Sequence, residues 1–172
     1  MNWTQNCNQN RLFSIAASSL ILLTLTACEG ASMQPTDTAD QAREKALAAV
    51  YAAAAAIFPS GYKLSESPLE SRPCTDDSNQ PTGQISVSAD FWVDGPDRSQ
   101  NNKYYDSLKK WWSENGWSLE TDSRPRDLFA NAQRDGYLMS LEGTVTGPDK
   151  GRLNIGASSP CVWPNGTPEP AS

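Results

Sequence analysis

The chain has 172 residues, a net charge of −6, four cysteines and no histidine. Without histidine, His-based triads and dyads and histidine-ligated metals are excluded. An acidic chain with no basic cluster repels phosphate backbones, which argues against nucleic acid as a partner.

In chain order, the first feature is an apolar run from Leu12 to Leu25, preceded by a single basic side chain, Arg11. A spanning helix needs roughly 20 apolar residues. This run is shorter and reads as the core of an export signal. Its end, Leu25-Thr26-Ala27-Cys28, resembles a bacterial lipoprotein signal, whose cleavage exposes a cysteine that carries lipid. The resemblance implies that residues 1–27 are a signal peptide and that Cys28 is lipidated. The protein is then expected at the cell membrane, lipid-anchored on its extracytoplasmic face. Each buried methylene contributes about 0.8 kcal/mol, so two or more acyl chains hold stably. An ordinary secretory signal and an uncleaved anchor are the competing readings.

Removing the leader takes away Arg11 and Cys7 and leaves a net charge of −7. The remaining chain is one domain's worth. With Cys28 assigned to lipid, Cys74 and Cys161 are left. In an exported protein they are expected to form a disulfide. Two thiols without histidine lack the usual ligand set of zinc. Residues 28–40 read as a lipidated N-terminus and polar tether whose extended reach is roughly 30 Å. A single α+β domain is expected over residues 41–163, and a loose tail over 164–172.

Asp37 or Thr38 is placed to cap an Ala-rich helix that runs to about Phe58. Leu47, Val50, Tyr51, Ala54, Ile57 and Phe58 follow the spacing of one apolar face, and Pro59 and Gly61 stop it. Tyr62 to Leu69 reads as a short strand, and Ser71 to Gly83 as a loop with Cys74, two prolines and Asp76-Asp77. Ile85, Val87, Ala89, Phe91 and Val93 then alternate with Ser86, Ser88, Asp90, Trp92 and Asp94, a strand with one buried and one wet face. A second helix is expected over Ser99–Glu114, with Tyr104, Leu108, Trp111 and Trp112 as its stripe and Asn115-Gly116 as its stop. Strands follow at Trp117–Asp122, at Phe129–Arg134, from Tyr137 through Met139, Leu141 and Val145, and at Arg152–Ser158. Asp135-Gly136 is a hairpin signal. Tight turns between late strands imply an antiparallel sheet. The expected fold is α+β, a sheet of about four to five strands with two helices packed on one face.

No pattern carries a strong catalytic signal. Ser107-Leu108-Lys109-Lys110 fits S-x-x-K, but its partner motifs are absent, and an exposed helix face is the preferred reading. Asp76 with Asp77, or Asp90 with Asp94, are the available carboxylate pairs for glycan cleavage. Asp90, Asp94 and Gly95 match part of a calcium-loop spacing, but Trp92 and Asn101 stand where ligands belong. No cofactor and no metal is expected. Among the tryptophans, Trp92 falls on the polar face of its strand, and Trp112 cannot point the same way as Trp111. Trp92 and Trp112 are therefore the ligand-binding candidates.

From about Cys74 to Pro170 the chain resembles small lipoproteins of actinobacteria. The resemblance is carried by Cys74-Thr75-Asp76-Asp77, Lys110-Trp111-Trp112 before Gly116-Trp117, Asp122-Ser123-Arg124-Pro125, and Ser159-Pro160-Cys161-Val162-Trp163-Pro164. It implies a protein of the cell envelope and supplies no activity. The expected function is a non-enzymatic accessory or ligand-binding domain, tethered to the membrane, with a cell-wall or envelope-protein partner. The alternative is an envelope enzyme acting on peptidoglycan or glycan through paired carboxylates.

Overall fold

The computed structural model describes residues 34–67 and 71–168. The leader, Cys28 and residues 169–172 lie outside the described residues. Helix α1 (Ala39–Ile57) starts at Thr38, whose hydroxyl accepts from the Gln41 amide while the Gln41 side chain accepts from the Thr38 amide. This reciprocal capping box satisfies two of the first-turn donors. Of the two cap candidates Thr38 is used, and Asp37 instead pairs with Lys45 at 2.7 Å. Phe58 closes the helix in an extended conformation ahead of Pro59, as a residue before proline prefers.

Seven antiparallel strands follow: β1 (Lys63–Glu66), β2 (Ser71–Thr75), β3 (Pro81–Asp94), β4 (Ser118–Asp122), β5 (Phe129–Arg134), β6 (Tyr137–Gly143) and β7 (Leu153–Ser158). Helix α2 (Asn101–Glu114) lies between β3 and β4, entered through a 3₁₀ turn at Arg98–Gln100. The sheet order is β1-β3-β7-β6-β5-β4, with β2 also paired to β3. The class is α+β with an antiparallel sheet, as expected, but there are seven strands instead of four to five.

The clearest addition is β2. Pro73 within it, Pro81 after it and the acidic pair read as a loop, yet Ser71 to Pro73 pair with Val87 to Ile85, and Thr75 pairs with Pro81. A proline is tolerated at a sheet edge, where its missing donor faces away from the ladder. Asp76 makes the turn between them, its carboxylate accepting from the Ser78 and Gln80 amides at 2.8 and 3.0 Å. At the β5–β6 hairpin, Asp135 and Gly136 both have positive φ (52° and 79°). That is the geometry of a primed turn, whose twist matches its strands. Strand β6 ends at Gly143, so Val145 lies beyond it and is exposed.

One apolar cluster joins Val50, Ala53 and Ile57 of α1 and Tyr104, Leu108 and Trp112 of α2 to alternate residues of the sheet. Those include Phe91 of β3, Met139 and Leu141 of β6 and Ile155 of β7. Cys74 and Cys161 form a disulfide. It links β2 to the segment after β7, and these two lie on opposite edges of the first half of β3, since Ile85 bridges Val162 on the side away from β2.

The start of the tail is fastened. Trp163 donates its amide to the Thr36 hydroxyl at 2.8 Å and its indole N–H to the Gln34 carbonyl at 3.2 Å. Thr36 N donates to Gly166 O, and Ala39 N to Pro164 O. Residues 34–39 and 163–166 thus form a clasp, where a loose tail from 164 was expected. Among the described residues no helix is long and apolar enough to cross a membrane.

Candidate functional site

In β3, β7, β6 and β5 the residues between the cluster positions point to the other face of the sheet. The register aligns them in rungs. One runs Trp92, Asn154, Glu142, Phe129; the next Asp90, Gly156, Ser140, Asn131; the third Ser88, Ser158, Leu138, Gln133. Neighbours within a rung are about 4.8 Å apart, and rungs about 7 Å. The face is mainly small and polar. At its centre, a Cβ on residue 156 would run into the Asp90 carboxylate. Only glycine there lets Asp90 lie across β7.

A cavity of about 620 Å³ opens over this face, lined by Arg72, Asp90, Trp92, Asp127, Glu142 and Asn154, with Ser67 and residues 143–146. A neighbouring cavity of about 290 Å³ shares Arg72 and Asp90 and is otherwise lined by Ser86, Ser88 and Ser158. The loop that rims the larger cavity is held in place. Thr144 N donates to Arg152 O, Gly151 N to Thr144 O, and Arg98 donates to the carbonyls of Pro148 and Lys150.

Trp92 is half-buried at this rim. The Arg152 guanidinium stacks over its ring, 4.8 Å from the centroid, and pairs with Asp94 at 3.0 Å. A hydrogen bond from the Ser65 hydroxyl, aided by Arg152, holds the Asp94 carboxyl below the ordinary carboxylate range. By contrast, neither the Asp90 nor the Glu142 side-chain carboxylate has a hydrogen-bonding or ion-pair partner among the described residues. Arg72, the one cation lining the cavity among the described residues, already has a partner.

The other sequence candidates fall elsewhere. Trp112 is 1% exposed in the apolar cluster, its indole N–H directed at Met139 Sδ. No face of it is available to a ligand, which corrects the expectation for this residue. Asp76 is engaged in its turn. Asp90 and Asp94, four residues apart on one strand, stand roughly 13 Å apart along the backbone, with Trp92 between them. Glycosidase carboxyl pairs are roughly 5–9.5 Å apart. Lys110 is exposed and faces Glu114 at 3.8 Å, in keeping with the solvated-face reading of Ser107–Lys110. Among the described residues no three His, Cys, Asp or Glu side chains come together as a metal site.

A second large cavity, about 580 Å³, lies beside α1 and takes in Trp111, Trp117 and Tyr137. Its charged groups are already engaged with one another or with the fold. Lys45 pairs with Asp37, and Arg134 stacks on Trp117 at 4.9 Å and donates to the Asn115 carbonyl at 3.0 Å. The open-face cavity, with its unpaired carboxylates, is the stronger site. Sequence reasoning singled out Asp90 and Trp92 there but passed over Glu142 and Asn154. Their polar character between core positions of β6 and β7 was the available signal. Comparison with protein-family models, curated proteins and solved structures finds nothing that matches this chain.

Proposed function

We propose that this chain is a non-enzymatic lipoprotein of the bacterial cell envelope, anchored through Cys28 on the extracytoplasmic face of the cell membrane. Its domain binds a cell-wall or envelope ligand over the open face of the sheet. The reading takes both helices to lie on the side of the apolar cluster, which leaves the rungs around Asp90 and Gly156 free for a ligand. One observation carries it: Trp92 borders a cavity of about 620 Å³ whose remaining lining is mostly hydrogen-bonding side chains. An aromatic surface beside such groups suits a sugar or a polar peptide, which offers one apolar face and many donors and acceptors.

The test is calorimetric titration of the full chain in detergent micelles with soluble peptidoglycan fragments. Trp92→Ala should weaken binding at least about tenfold, equivalent to one well-made contact, while thermal melting confirms the fold. Unchanged affinity in a folded variant would reject the site. Asp90, Asp127 and Glu142 around one cavity favour hydrolysis of a glycan as the second reading. Turnover of the same fragments, lost in Glu142→Gln, would establish it.

A further inference from the structure

We infer that the open-face cavity takes a polar ligand carrying an ammonium group, lodged between Trp92 and the carboxylates of Asp90 and Glu142. The inference rests on the reading of this cavity as a ligand site and adds the charge of what enters it. Alternation puts Asp90, Trp92 and Asp94 in one row on the same face of β3. On the Asp94 side the chain supplies its own cation: the Arg152 guanidinium lies against the Trp92 ring and pairs with Asp94. A cation held jointly by an aromatic face and a carboxylate is the combination that makes such contacts worth more than either alone.

On the Asp90 side the aromatic ring and a carboxylate recur, and the one cation lining the cavity among the described residues, Arg72, already has a partner. Asp90 and Trp92 both line the cavity, and Glu142 and Asn154 stand across from them on the rung of Trp92. Three carboxylates line the cavity against one arginine, and that arginine is engaged. An anionic ligand would meet repulsion, and a neutral one would leave the carboxylates without a charged partner. A protonated amine supplies three donors from a compact charge. It could belong to an amino sugar or to a free amino group of a peptide.

The full chain in detergent micelles would be titrated at mildly acidic pH, where both kinds of amine are charged. One arm uses a glucosamine oligomer against its N-acetylated counterpart. The other uses a short peptide with a free lysine amine against its acetyl-lysine form. The amine form should bind at least about tenfold more tightly than its acetylated control. The double variant Asp90→Asn, Glu142→Gln should erase that preference, bringing the amine form and its acetylated control to equal affinity. Preference in one arm alone supports the inference and identifies the source as sugar or peptide. Equal affinity for amine and acetylated forms overturns it and leaves the ligand site standing. Absence of binding in both arms overturns the site as well.

Discussion

Arg124 is a charged side chain only 12% exposed, and its surroundings show what a short polar run in this sequence is for. Its guanidinium grips Asp122 with two hydrogen bonds of 2.9 and 2.8 Å, reaches Asp106 at 2.9 Å and donates to the Asn102 carbonyl at 3.1 Å. It also stacks on Tyr105, 4.9 Å from the ring centroid, and Tyr105 donates its hydroxyl to Leu128 O. Lys109 adds a second cation to Asp122 at 2.9 Å. These contacts fasten α2 to the connection after β4. The hydrogen bonds from Arg124, followed by that from Lys109, hold the Asp122 carboxyl far below the usual carboxylate range. A carboxyl depressed on folding adds stability at all pH above its unfolded value of about 4, and that stability drains away as pH falls further. Arg124→Ala should therefore cost about 2–3 kcal/mol near neutral pH, because it leaves a partly buried carboxylate with Lys109 as its one cation. Arg124→Lys should recover only part, lacking the two-pronged geometry. Thermal melts from neutral pH down to about 2 should show the wild type losing stability steeply below about pH 4 and the alanine variant losing less. Equal acid sensitivity in the two proteins would dismiss this role. Asp122-Ser123-Arg124-Pro125 stood out in the sequence only as a point of resemblance, because nothing local says that α2 supplies the other half of the network.

At the scale of elements, the two long helices were legible because their signals are local. Thr38 with Gln41 caps α1, and periodicity marks much of both buried stripes, although Tyr51 of the expected α1 stripe is 50% exposed and Tyr105, outside the expected α2 stripe, is fully buried. Strand β3 was legible for the same reason, since alternation repeats within one segment. Strand β2 was not, because a short strand that holds a proline exists only through its partner, and β3 is that partner. The disulfide secures this weakest strand. Cys74 and Cys161 are 87 residues apart in sequence, and their bond ties β2 to the chain after β7 across β3. Closing so long a loop restricts the unfolded chain by about 4.5 kcal/mol in the entropy model, an upper value. Replacing both cysteines by alanine should lower stability by roughly 2–4 kcal/mol, read as a shift in denaturant midpoint. The wild type in reductant should fall to the level of the variant; a midpoint that stays put in both would show that the hairpin needs no staple.

For the whole molecule, the clasp between residues 34–39 and 163–166 fixes where the chain leaves the domain. Gln34 stands six positions after Cys28, an extended reach of about 20 Å. That is shorter than the roughly 30 Å that about nine extended residues of tether would reach. A lipid on Cys28 would therefore hold the clasped end of the domain close to the bilayer. Cells expressing the chain and labelled with radioactive palmitate should show label on the wild type and none on Cys28→Ala. The variant should leave the membrane fraction. Label retained on the variant, or a wild type recovered wholly in the soluble fraction, would discard the anchor.

What the sequence determined by itself is what neighbouring residues decide among themselves: the cap of α1, much of the helix stripes, the alternation of β3, and the primed turn at Asp135-Gly136. The absence of histidine belongs to the same class, since it removes chemistries whatever the fold. Only the tertiary structure decided which tryptophan is buried. Trp92 and Trp112 are equally plausible by position, but α2 turns Trp112 into the apolar cluster, and the sheet leaves Trp92 at a cavity rim. It also decided which carboxylates line one cavity. Asp90 and Glu142 are 52 residues apart in sequence, and they border the same cavity because only β7 lies between their strands, with a glycine opposite Asp90. Such pairings depend on strand order and register, which arise from packing the whole sheet at once, so no local run of residues encodes them.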